Sequence, residues 1–117
     1  MSFRKLINIE TFSCNLEFVI SDKINIDISN VYKKYNVRSL EESTIEGILI
    51  CGELSKYYLL IDLQYLSHNT IAHEIYHAVV RITEDRDIVD EETQAWLCGF
   101  LSDKVYSFLK KKKLEIK

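Results

Sequence analysis

Five consecutive residues, His73-Glu74-Ile75-Tyr76-His77, carry the residue types and the spacing of a metal-assisted reaction. On a helix, histidines four apart project from one face, one turn above the other. Two imidazole nitrogens so placed can share one tetrahedral zinc, which takes nitrogen ligands at about 2.0–2.1 Å. Glu74 is rotated from His73 by roughly 100°. It therefore stands beside the metal, where a carboxylate can take a proton from bound water. The H-E-x-x-H spacing thus predicts that His73 and His77 are metal ligands, that Glu74 is the general base, and that Zn2+ is the cofactor.

Three further features must exist for this chemistry: a helix under the motif, a third ligand and a flanking strand. Ser67 is a candidate N-cap, with Leu66 and Ile71 placed as a hydrophobic staple. From about residue 67 to 83, Ile71, Ile75, Val79 and Ile82 make an apolar stripe, while Thr70, His73, His77 and Arg81 make a polar one. The two histidines share the polar stripe. A second long helix is expected from Glu91 to about Lys112, capped by Asp90, with Ala95, Trp96, Gly99, Phe100, Val105 and Leu109 among its packing positions.

The third ligand has to be sought among acids. His68, the remaining histidine, lies on other faces of the same helix and reads as an exposed first-turn residue. Val80 and Thr83 stand where an extended metzincin pattern would need glycine and histidine. The acids at 84, 85, 87 and 90 belong to a charged loop, in which a ligand is hard to hold to a few tenths of an ångström. Glu91 and Glu92 open the second helix. Glu92 is in phase with Ala95 and Gly99, small residues that would let that face approach the first helix, and Glu91 is about 100° off that line. The phase favours Glu92 over Glu91. Either could instead be a first-turn acid stabilised by the helix dipole.

Upstream, Leu16–Ile20 reads as a strand, and Phe3–Phe12 as a strand or a short irregular helix. Asp27 or Ser29 can cap a short helix bearing Ile28, Val31, Tyr32 and Tyr35, ending near Asn36. Ile45–Cys51 and Tyr57–Leu63 read as a hairpin joined through the Gly52–Ser55 turn. The 117 residues contain no proline and only three glycines, so one domain spanning residues 1–117 is expected.

Hydrophobic content of 47% and charged content of 28% are those of a globular chain. A net charge of −3 gives no electrostatic case for nucleic acid. Lys110–Lys113 reads as a solvated helix end. No apolar run reaches membrane-spanning length, and the N-terminal MSFRKLINIE lacks a signal-peptide core, so a cytoplasmic protein without a membrane partner is expected. Cys14, Cys51 and Cys98 are odd in number and widely spaced, which argues against a disulfide framework or a CxxC metal knuckle.

Across residues 57–101 the chain resembles compact gluzincin-type zinc metallopeptidases. Ile71-Ala72-His73-Glu74-Ile75-Tyr76-His77-Ala78, then Glu92-Thr93-Gln94-Ala95-Trp96-Leu97-Cys98-Gly99, is similar to small phage-encoded members with H-E-x-x-H-A followed by E-x-x-A-(aromatic)-L-x-G. The resemblance carries the family's glutamate ligand onto Glu92. It implies a peptidase acting on a peptide or protein substrate, in the host cytoplasm if phage-encoded. It also implies that Tyr57–Leu63 is the edge strand to which an extended substrate pairs. Tyr57, Tyr58, Tyr106 and Arg81 are possible second oxyanion donors, and Tyr76 is expected to pack behind the metal. The interval from His77 to Glu92 is short for the larger gluzincins, and the chain has no room for their substrate-binding subdomains.

The fold expected is α+β: a small, mostly antiparallel sheet packed on two long helices, in the manner of a minimal zincin-like domain. The competing expectation is a non-catalytic phage or host-interaction module that keeps the fold or the metal site without turnover.

Overall fold

A computed structural model describes residues 2–34, 37–43, 46–53 and 55–117; for residues 37–43 only the backbone is described. The chain forms β1 (Ser2–Ile9), β2 (Cys14–Ser21), α1 (Ile24–Lys34), β3 (Val37–Ser43), β4 (Gly47–Gly52), β5 (Lys56–Asp62), α2 (His68–Glu84) and α3 (Glu91–Lys111), with 3-10 turns at Glu10–Phe12 and Leu63–Tyr65.

Alternation in β1 and β2 decides how the first hairpin lies. Ile7 and Ile9 are buried while Leu6 and Asn8 are exposed, so β1 covers the core with one face only. Leu16, Phe18 and Ile20 of β2 point to the same side, in antiparallel register with β1 from Ser2↔Ser21 to Ile9↔Cys14. The reversal between them is a 3-10 turn closed by the Ser13 amide donating to the Glu10 carbonyl, with Ser13 left-handed at φ 51°. The Phe3–Phe12 segment is therefore a strand followed by a 3-10 turn.

The five strands lie in the order β1-β2-β5-β4-β3. β4 and β5 form the expected antiparallel hairpin, from Gly47↔Ile61 to Cys51↔Tyr57. Ile45 and Leu54, which the expected strand and turn include, fall outside the described residues, as do Tyr35 and Asn36 at the end of the expected first helix. β5 also pairs parallel with β2, from Asn15↔Lys56 to Ser21↔Asp62. A parallel neighbour requires a crossover, and α1, β3 and β4 supply it.

The α+β class stands, but the finer expectation is corrected. The sheet is mixed, and three helices pack on it. α1 covers one face over Val19, Ile48, Ile50, Tyr58 and Leu60, with its own Ile24 and Val31. α2 and α3 cover the other, over Phe18, Leu49, Leu59 and Ile61. β5 is consequently buried on both faces, and five successive residues from Tyr57 to Ile61 are inaccessible. α1 starts at Ile24, ahead of both expected caps, Asp27 and Ser29; Asp27 is instead an ion-pair partner within the helix, its Oδ1 2.9 Å from Arg4 Nη2.

Both long helices begin where their caps predict. Ser67 Oγ accepts from the Thr70 amide at 3.1 Å, and Asp90 Oδ2 from the Thr93 amide at 3.1 Å. Leu66 and Ile71, the staple pair, are both buried. α3 ends at Lys111, and Lys110–Lys113 are exposed. Among the described residues, no helix is long and apolar enough to cross a membrane.

Candidate metal centre

α2 leaves β5 through Asp62, whose carboxylate accepts from the Gln64 amide at 2.9 Å, and a single 3-10 turn. Ile71, Ile75, Val79 and Ile82 are buried against the sheet, so the helix has one possible roll. That roll lifts His73 and His77 to the outer flank. Their Nε2 atoms are 3.1 Å apart. The two nitrogens are at hydrogen-bond distance from one another, and that separation is close to the roughly 3.3 Å between two nitrogens bound at 2.0–2.1 Å to one tetrahedral ion. The His73 side chain is 48% exposed, which leaves this pair open to solvent.

Glu74 is turned into the fold beside His73. It is 1% exposed, and its Oε2 lies 3.8 Å from His73 Nε2. A carboxylate beside the imidazole nitrogens, held within the fold, is the arrangement expected of a positioned base. Above it on the polar stripe, Thr70 Oγ1 donates to Glu46 Oε2 at 3.3 Å. This ties the start of the helix to the segment leading into β4.

The expected third ligand is not gathered with the other two. Glu92 is exposed in the first turn of α3, and Ala95 and Gly99, one and two turns along the same face, are exposed as well. A Cβ added to Gly99 would meet nothing within 4 Å. The small residues therefore do not bring that face against α2, and the packing argument for Glu92 is corrected. The cause is the core stripe of α3, in which Leu97, Leu101, Val105 and Phe108 face the sheet and turn Glu92 outward. Glu91 is exposed too. Among the described residues, no group of three or more histidine, cysteine or acidic side chains is assembled as a metal-binding set.

Other expectations are resolved in the same way. β5, expected as the substrate-binding edge at Tyr57–Leu63, is the central strand and hydrogen-bonds on both sides, so it has no edge to offer. Tyr76 does not pack behind the motif: it is 66% exposed, its ring edge-on to that of His77 at 6.3 Å. His68 is exposed as expected, stacked on Tyr106 with Nδ1 2.9 Å from the phenol oxygen. That contact occupies Tyr106, and Tyr58 lies under α1 on the far face of the sheet. Arg81 continues the stripe one turn beyond His77 and reaches Glu84 at 3.8 Å.

Tyr57 belongs to a second polar cluster, at the opposite end of α2. Its hydroxyl donates to Asp85 Oδ2 at 2.5 Å and accepts from Arg86 Nη1 at 3.0 Å. Burial, reinforced by the Asp85 bond, pushes the phenol up to about 12. Arg86 also donates to the Phe12 and Ile82 carbonyls and to Ser55 Oγ, at 3.0–3.1 Å. Phe12, Ser55, Tyr57, Asp85 and Arg86 border a cavity of about 440 Å³.

Gly47 is the residue that reading the sequence passed over. It lies directly against Glu74, and a lone glycine in a strand is the signal that could have found it. Comparison of the chain with protein-family models, with curated proteins and with solved structures finds no match.

Proposed function

We propose that the protein is a zinc-dependent metallopeptidase of minimal, zincin-like design. One observation carries the reading: two imidazole Nε2 atoms 3.1 Å apart on one helix flank, with a carboxylate that is 1% exposed 3.8 Å from the nearer of them. Helical spacing alone brings two histidines to one face. It does not bring their Nε2 atoms within hydrogen-bond distance, and it does not bury the acid beside one of them.

In this reading His73 and His77 bind the ion, and Glu92 is the third protein ligand on the strength of the family resemblance. The donor set in the fold fits the metal in its two histidines; Glu92 stands exposed on α3. Bound zinc supplies an acidified water and polarises a peptide carbonyl. Glu74 accepts the proton given up as water attacks, holds it at a carboxylate oxygen, and returns it to the departing amine. The solvent-open flank admits a peptide or protein chain, and exposed Tyr76 sits beside His77 where such a chain would pass.

A second reading, an interaction module that keeps the helix without turnover, draws on the outward position of Glu92. Elemental analysis of tag-free protein dialysed against metal-free buffer separates the two. The peptidase reading expects near one zinc per chain, lost in His73→Ala and in Glu92→Ala, with Glu74→Gln retaining the metal and losing hydrolysis of labelled casein. No zinc retained after zinc is added would sink it.

A further inference from the structure

We infer that Gly47 is a positioning residue for Glu74, an assignment that rests on the proposed role of Glu74 as base. Gly47 opens β4 and pairs with Ile61 of β5, on the sheet face that α2 covers. A Cβ built there would stand 3.0 Å from Glu74 Cγ, 3.0 Å from Glu74 Cδ and 3.0 Å from the Leu60 carbonyl oxygen. Separations that short are not ordinary van der Waals contact, so something has to move. The Leu60 oxygen is backbone of the central strand and is held by its neighbours on both sides. The Glu74 side chain is the part that must yield.

The absence of a side chain at 47 therefore shapes a cradle, and the cradle fixes where the carboxyl rests. Gly47 is itself buried, so the space is lined by the sheet and not by solvent. An acid held this way reaches the imidazole pair from the protein side while the pair stays open on the other. Any larger residue at 47 pushes the carboxyl out of that place and leaves His73 and His77, on the outer flank, where they are. The geometry points to a division of labour: α2 positions the ligands, and β4, through a missing methyl group, positions the base.

A double-mutant cycle on the full chain tests the packing without any need for turnover. Gly47→Ala is expected to lower the melting midpoint by about 5 °C when Glu74 is present. In a Glu74→Ala background, where Cγ and Cδ are gone, the shift should be less than half as large; the Leu60 contact is common to both arms and cancels. Equal shifts in the two backgrounds overturn the inference. If Glu74→Ala does not fold, Glu74→Asp, one carbon shorter, serves as the second background with the same criterion. The positioning role has its own readout. Gly47→Ala should keep the zinc content of the parent protein while kcat on labelled casein falls at least about tenfold and KM stays within about twofold. Unchanged kcat, or loss of zinc together with kcat, overturns it. A parent chain that takes up no zinc defeats the proposed function and leaves the cycle to decide the packing.

Discussion

The two ends of α2 treat polar groups in opposite ways. At the C-terminal end, Arg86 spreads its guanidinium over two carbonyls and two hydroxyls, and Tyr57 completes the set with Asp85. All of those bonds except the local one to Ile82 tie together segments that are distant in sequence: the β1–β2 turn, β5 with the turn before it, and the residues at the end of α2. Nearer the middle of the helix, His73 and His77 are close to one another and reach toward solvent, while Glu74, like Thr70 one turn before it, is enclosed. One cluster holds the protein together; under the proposed function the other would hold a metal ion. Polar groups that serve stability are directed inward at protein partners, whereas groups that serve binding are oriented but left accessible.

The contrast breaks down if substitutions at the two ends have the same signature. The largest effect is expected at the site: His73→Ala should abolish zinc uptake in dialysed protein while leaving the urea midpoint nearly unchanged, since the side chain is half exposed. Arg86→Ala should do the reverse. Removing a cation that caps part-buried carbonyls should cost about 2 kcal/mol in urea unfolding, with zinc content retained. Zinc loss in Arg86→Ala at unchanged stability would erase the distinction.

The phenol at the stabilising end sharpens the comparison. Because the folded Tyr57 pKa is raised to about 12, above its ordinary value near 10, its contribution is fully present below pH 10. It is lost as pH climbs from 10 to 12. Stability measured across that window should fall in the parent protein, and the fall should be shallower in Tyr57→Phe. A smaller effect belongs to Ser67, the cap that starts the site-bearing helix: Ser67→Ala should cost about 1 kcal/mol in urea unfolding and leave zinc uptake intact. The smallest is at Asp90, whose carboxyl is held below the usual range by its bonds to Thr93. Asp90→Ala should destabilise at neutral pH, and its difference from the parent should shrink as pH drops through the acid range, since a depressed pKa stabilises only where the group is ionised.

What could be read from the sequence was whatever is encoded locally. The caps at Ser67 and Asp90, the buried stripe of α2 and the spacing of the histidines each need only a few neighbouring residues, and each is found in the fold. The parallel pairing of β2 with β5 was not legible. It joins segments about forty residues apart, and a strand buried on both faces loses the alternation that would reveal its neighbours. β3 went unread, because no period singles out residues 37–43. The orientation of α3 was misjudged from Ala95 and Gly99, since small residues permit close approach but do not compel it. The acids at 84, 85, 87 and 90 read as a charged loop and gave no sign of the Arg86 cluster, because the partners of Arg86 lie as far off as Phe12.

The position of β5 also sets an order of events during folding. It is the last strand in the chain, yet it inserts between β2 and β4 at the middle of the sheet. The first hairpin can close on its own, but the central ladder has to wait until the 34 residues between Ser21 and Lys56 have been laid down, and long-range pairing of that kind is slow. α2 leads directly out of β5, so the histidine pair has no platform until this step is complete. A nascent or partly unfolded chain thus carries the H-E-x-x-H residues without the packing that aims them, and under the proposed function zinc uptake would appear only with the finished sheet.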